Sequence, residues 1–133
     1  MGFRTAIAMM LLLPVAALGA DTQKATDDAK SWVELLDAKD YPQSWNAASA
    51  FFQSHISEAQ WEKAVQTALG PLGTLVSRSV ASADFATTLP GAPDGQYVVV
   101  KFNTKFTHKA AATETVTMML ENGSWKSAGY YVR

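Results

Sequence analysis

Gly95-Gln96-Tyr97-Val98-Val99-Val100-Lys101-Phe102-Asn103-Thr104-Lys105-Phe106 is the longest strand-like run in the chain. Val98, Val100, Phe102, Thr104 and Phe106 fall on one mostly apolar face, and Val99, Lys101, Asn103 and Lys105 fall on the other. A period of two belongs to a strand with one side on a core and one side in water. Such a strand needs a layer over its apolar face, and the rest of the chain is read as what supplies it.

Outward from this run, Thr113 to Glu121 repeats the alternation, with Val116, Met118 and Leu120 on one face. Asn122-Gly123 is a strong two-residue hairpin signal, because both types tolerate the positive φ of a tight turn. Ser124 to Arg133 is therefore predicted to pair back as the last strand. Upstream, Thr74 to Thr88 scatters Leu75, Val76, Val80 and Phe85 among small residues, which predicts a strand that bends or bulges midway. Leu89-Pro90-Gly91-Ala92-Pro93-Asp94-Gly95 reads as a structured turn, and Thr107 to Ala112 as another.

Before Pro71-Leu72-Gly73 the period changes from two to helical. Thr26-Asp27-Asp28 has the chemistry of a helix start, and Ala25, Ala29, Trp32, Val33 and Leu36 lie on one face of a helix running to about Ala38. Pro42 suits the first turn of a second helix, with Tyr41, Trp45, Ala48 and Phe52 as its stripe. Ser57-Glu58-Ala59-Gln60 is a capping box opening a third, whose apolar face is Trp61, Ala64, Val65, Ala68 and Leu69 and which Gly70-Pro71 stops. The expected fold is α+β: three N-terminal helices packed on one face of a four-stranded antiparallel meander.

Residues 1–20 carry one positive charge at Arg4, an apolar run from Ala6 to Leu18 and a small-residue end at Gly19-Ala20, the pattern of a secretory signal cleaved after Ala20. The expected mature chain is a single domain over residues 21–133, periplasmic or secreted, with no membrane insertion after cleavage. There is no cysteine, hence no disulfide, thiolate nucleophile or thiolate metal site. Eight acids and three lysines lie between Asp21 and Glu62, against seven bases and four acids from Lys63 to Arg133. The small net negative charge gives no drive toward nucleic acid, and the asymmetry reads as acidic solvated helices beside a lysine-bearing sheet face.

Trp32 with Asp37, Tyr41, Ser44-Trp45, Trp61, Pro71-Leu72-Gly73, Ser77-Arg78, the Leu89 to Gly95 loop and Tyr97-Val98-Val99 form one recurring set of features. Phe102 with Thr104, Glu114-Thr115-Val116, Trp125 and Gly129-Tyr130 complete it. In these residues the chain closely resembles the bacterial family known as domain of unknown function 4019, over essentially all of the mature sequence. The resemblance implies an exported bacterial protein and transfers no catalytic residues. The order of elements also resembles the cystatin-like and nuclear-transport-factor-two-like cone folds, which host ligand-binding proteins as well as isomerases and dehydratases.

No phosphate loop, nucleophile elbow or zinc-protease motif occurs, so no catalytic residue, metal site or cofactor is assigned. Arg78 alternates with Val76 and Val80. If that face is inward its guanidinium must be paired or must line a polar pocket, where its planar fork suits a carboxylate or phosphate ligand; otherwise it meets water or pairs with Asp84 or Glu114. His55 reads as an exposed helix end. His108, in a turn, is placed to meet Glu114 across the hairpin as an oriented base, or else is solvated. The aromatic residues read mostly as core, with Tyr41, Trp45 and Tyr131 as candidate pocket walls.

The candidate ligand-binding set is Arg78, Tyr41, Trp45, His108, Glu114 and Tyr131. The leading expectation is a non-enzymatic binding or accessory domain of the envelope, for a small apolar or anionic ligand or a protein partner. A cone-fold isomerase or hydratase using Asp84, His108 or Glu114 with Tyr41 or Tyr131 and Arg78 is the alternative, and a strand-edge homodimer is a third.

Overall fold

The computed structural model describes residues 15–133, and the secretory-leader reading of residues 1–20 falls for the most part outside them. Four helices come first: α1 Val15–Asp37, α2 Tyr41–Asn46, α3 Ala50–His55 and α4 Glu58–Leu69, the last followed by a 3-10 turn Gly70–Leu72. Four strands follow: β1 Leu75–Ala86, β2 Tyr97–Phe106, β3 Lys109–Glu121 and β4 Ser124–Val132. They form one antiparallel sheet in the order β1-β2-β3-β4. The architecture is α+β, helices before meander.

Two helices differ from expectation for local reasons. Thr26 does not start α1 but lies buried within it, its hydroxyl donating to the Thr22 carbonyl at 2.7 Å. The alanines, Leu18, Gln23 and Lys24 ahead of it are good helix formers, and they carry the helix past a capping signal. The second expected helix is two. Asp40 caps α2 by accepting from Gln43 N, and Ser49 starts α3 by accepting from Phe52 N at 3.0 Å. The capping box of α4 is complete, with Ser57 Oγ 3.2 Å from Gln60 N and Gln60 Oε1 3.1 Å from Ser57 N.

The core lies between the helices and the inner face of the sheet. Val98, Val100 and Phe102 of β2, Val116 and Met118 of β3 and Trp125 of β4 meet Ala29, Trp32, Val33 and Leu36 of α1 and Trp61 and Val65 of α4. Burying a large aliphatic or aromatic side chain stabilises by about 1.5–3 kcal/mol, so this layer is what holds α1 to the sheet. The indole N–H groups are also satisfied. Trp32 Nε1 donates to the Ser44 carbonyl and Trp61 Nε1 to Ser44 Oγ, both at 2.9 Å, while Ser44 Oγ donates to the Tyr41 carbonyl at 2.7 Å. Ser44 thus ties two core tryptophans to α2.

The bulge expected in the first strand occurs twice, between Leu75 and Ser77 and between Val80 and Ser82. The register pairs Leu75 with Phe106, Arg78 with Thr104, Val80 with Phe102, Ala83 with Val100 and Phe85 with Val98. Partners across an antiparallel pair share a face, so the first bulge drops Val76 out of the alternation and turns Arg78 inward. Another correction concerns the segment from Thr107 to Ala112. Only Thr107-His108 turns, and β3 starts at Lys109. The backbone packs closely here: Gly73 has φ +85°, and a Cβ on it would come 2.1 Å from Thr107 Oγ1, which accepts from Thr74 N at 2.9 Å.

The two edges of the sheet are unlike. On β4 the Ser127 carbonyl accepts from Ser49 N at 2.9 Å, and Glu121 beside it accepts from Ala50 N at 2.9 Å, so the start of α3 is fastened over that edge. β1 has β2 on one side and, among the described residues, no strand on the other.

Candidate functional site

Glu114 sits on the inner face of β3, opposite Phe102, with its side chain 1% exposed. A carboxylate removed from water needs several donors, and three strands supply them. Arg78 Nε of β1 donates to Oε1 at 2.7 Å, Thr104 of β2 to the same oxygen at 2.6 Å, and the Tyr130 hydroxyl of β4 to Oε2 at 2.5 Å. The remaining fork of Arg78 grips Asp37, with NH1–Oδ2 at 2.7 Å and NH2–Oδ1 at 2.8 Å, a bidentate pair. Asp37 is the last residue of α1, where an acid meets the negative end of the helix dipole. Arg78 offsets that repulsion and at once joins α1 to the sheet.

The cluster shifts its own proton equilibria. Burial works against the charge on Arg78, but the hydrogen bonds to Asp37 and Glu114 outweigh it and hold the guanidinium above its ordinary pKa. For Tyr130, burial first and the Glu114 carboxylate second push the phenol well above its ordinary value. With Arg78 facing two carboxylates, the cluster does not attract an anion.

Around it lie shallow hollows. One of about 620 Å³ runs between α1 and β1, lined by Lys30, Glu34, Asp37, Leu75, Arg78 and Val80 among others. A second of about 540 Å³ continues along the same cleft, with Gly19, Thr22, Gln23, Thr26 and Lys30 on the helix and Val80 and Ala83 on the strand. The cleft thus follows the open edge. Its strand wall includes partly exposed apolar surface, Val80 being 39% accessible.

Of the six candidates, Arg78 and Glu114 come together, and the pairing considered for them is what forms. Tyr41 is buried and lines a separate hollow of about 370 Å³ that Asp37 also borders; burial, and then Glu62, raises its pKa. Trp45 is half-buried and donates to the Ile56 carbonyl at 2.9 Å, a packing role. His108 does not meet Glu114: it is exposed in the β2–β3 turn, its ring against Gly73, while Glu114 is committed to Arg78, Thr104 and Tyr130. Tyr131 faces the outer side of the sheet, 51% exposed, with the Arg133 guanidinium 6.0 Å from its ring centroid. Asp84 is exposed on β1 outside the cluster.

Asp37, Thr104 and Tyr130 were not among the candidates. All three belong to the features that carry the family resemblance, as do Arg78 and Glu114, and that coincidence of polar residues was the available signal. Among the described residues no group of three or more His, Cys, Asp or Glu side chains could hold a metal ion, and no helix is long and apolar enough to cross a membrane.

Fold and site together define a small α+β domain whose one elaborate polar constellation is turned inward and spent on holding a helix to a sheet. The chain belongs to the family described as Protein of unknown function (DUF4019), whose model matches residues 28–130 and so spans the whole constellation, ending on Tyr130. A comparison with curated proteins finds no match.

Proposed function

We propose that the protein is an exported, non-enzymatic binding domain of the bacterial envelope that captures an extended segment of another protein at the open edge of β1. The carrying observation is the contrast between the edges: β4 is fastened at Ser127 to the start of α3, whereas among the described residues no strand lies beyond the long strand β1. An added strand gains main-chain hydrogen bonds there, and every second side chain of it would enter the α1–β1 cleft beside Val80 and Ala83. Along β1 the only charges are Arg78, neutralised inward, and Asp84, so the lysine and proline devices that commonly guard an edge are missing. Lys30 and Glu34 on the opposite wall supply one charge of each sign. The isomerase or hydratase reading has less support, because both oxygens of Glu114 are engaged and its side chain is closed to solvent.

The test is selection of peptides from a random display library on the mature domain, followed by amide hydrogen exchange of the best binder's complex. Protection of β1 amides, lost together with binding in Val80→Pro, supports the reading. Selected peptides that protect other elements overturn it, and so does concentration-dependent self-association that protects β1 without peptide, which would give the edge to a second copy.

A further inference from the structure

The face of the sheet turned away from the helices is polar. The register sets Ser79, Asn103 and Thr113 side by side across β1, β2 and β3, and Ser77 beside Lys105. These residues alternate with Arg78, Thr104 and Glu114 of the inward cluster, so their side chains point outward. A shallow hollow of about 440 Å³ lies among them, lined by Ser77, Ser79, Asn103, Lys105 and Thr113 together with Thr104 and the alanines at 110–112. No lining residue has an apolar side chain larger than that of alanine, and the one charged group is the Lys105 ammonium. Among the described residues the five outward side chains have no hydrogen-bonding or ionic partner, whereas Arg78, Thr104, Glu114 and Tyr130 on the inner face are all engaged. Lys101, one row further along β2, is exposed and likewise without an acid among the described residues. β4 completes the surface. Arg133 is held opposite Thr113 by main-chain hydrogen bonds of 2.8 and 3.0 Å, and its guanidinium stands 6.0 Å from the ring centroid of Tyr131, which is 51% exposed. Asp84, the acid that β1 turns to this side, lies opposite Val99, beyond the Lys101 row from the hollow.

From this we infer that the outer face of the sheet binds an acidic polysaccharide, a chain of sugars bearing carboxylates. Lys101 and Lys105 meet the negative charges, and Ser77, Ser79, Asn103 and Thr113 exchange hydrogen bonds with sugar hydroxyls, for which they carry both donors and acceptors. The exposed ring of Tyr131 is a ledge for the apolar face of a sugar. Four residues of strand place Lys101 about 13 Å from Lys105, a spacing that fits charges repeated along a chain better than one small anion. A membrane surface suits this face poorly, because the hollow offers no recess for an acyl chain. Single-stranded nucleic acid suits it poorly as well, since that ligand stacks successive bases on several aromatic rings, and here there is one. The surface does not use the open main-chain edge of β1, so the inference stands whether or not that edge takes a strand.

A matched pair of probes tests it: a hexamer of galacturonate, and the same hexamer with every carboxylate methyl-esterified. Each is titrated into the mature protein while amide resonances are followed. The acid is expected to shift Ser79, Asn103 and Thr113 and to bind about ten-fold more tightly than the ester, a gap that added salt should close. Lys101→Ala combined with Lys105→Ala should weaken the acid by about ten-fold and leave the ester unchanged. Tyr131→Ala should weaken both probes alike. All three side chains are exposed, so the urea midpoints of these variants should stay close to that of the parent. The assignment fails if the acid shifts no residue of this face, if acid and ester bind equally, or if the double lysine variant holds the acid as tightly as the parent. Tighter binding at the same residues by an oligothymidylate of equal length, or by phosphatidylglycerol vesicles, would give the face to nucleic acid or to a membrane and overturn it equally.

Discussion

Arg78 Nε stands 2.7 Å from Glu114 Oε1, while the other two nitrogens of the same guanidinium hold Asp37, so one side chain from the edge strand joins the middle of the sheet to the end of α1. Breaking a buried ion pair by removing one member leaves the other uncompensated, at about 3–5 kcal/mol. Glu114→Ala and Arg78→Ala should each lose stability on that scale in urea denaturation. Arg78→Met combined with Glu114→Leu should cost less than the sum of the single changes, because neither charge is then orphaned. Simple additivity would mean the two groups do not act as a pair. Asp37→Asn, at the more exposed end, should cost about 1 kcal/mol.

Tyr130 gives the fold an alkaline limit. Its phenol keeps its proton in the folded protein at pH values where an unfolded tyrosine, titrating near 10, has lost it. Above that pH the unfolded state binds fewer protons than the folded one, so stability falls as pH rises. Tyr41, also raised, adds to the fall. Comparing urea midpoints at about pH 8 and about pH 10.5, Tyr130→Phe should be less stable than the parent at the lower pH, by about 1–2 kcal/mol, yet should lose less on going to the higher. An undiminished alkaline loss in the variant would assign it to other groups.

Ser44→Ala strikes the joint between α2 and the tryptophan layer. It deprives Trp61 Nε1 of its acceptor and the Tyr41 carbonyl of a donor in a fully buried setting. A loss of about 1–3 kcal/mol is expected, with altered near-ultraviolet circular dichroism from the tryptophans. Ser44→Cys, which keeps a weak donor and acceptor, should recover part of it.

Gly73→Ala should be costly for two reasons, its φ of +85° and the 2.1 Å approach to Thr107 Oγ1. Backbone strain of this kind is worth about 1–3 kcal/mol. Thr107→Gly in the same chain should relieve the steric part and leave the strain, so the double variant is expected to melt between Gly73→Ala and the parent.

Much of the fold was legible because its signals are local. The β2 alternation, the Ser57–Gln60 box and the Asn122-Gly123 turn each depend on residues within a few positions, and Asn122 and Gly123 do adopt positive φ. The site was harder. Arg78 read as inward only if Val76 and Val80 were inward too, whereas Val76 sits at a bulge and is 52% exposed. Asp37 lies forty-one residues from Arg78 and Tyr130 sixteen from Glu114, separations at which no spacing rule operates. A turn running to Ala112 would let His108 meet Glu114 across the hairpin; with the turn reduced to two residues, the five strand residues from Lys109 to Thr113 separate them, and the solvated alternative for His108 is what the fold adopts.

The unlike edges of the sheet also limit what association can build. A strand added to β1 brings the sheet to five, and two copies meeting through β1 would present only β4 edges to the outside, each held at Ser127 by Ser49. The paired copies leave no β1 edge for another round. Growth into a fibre needs two sticky sides, and among the described strands this domain offers one open edge, so pairing between copies through β1 ends at its first step.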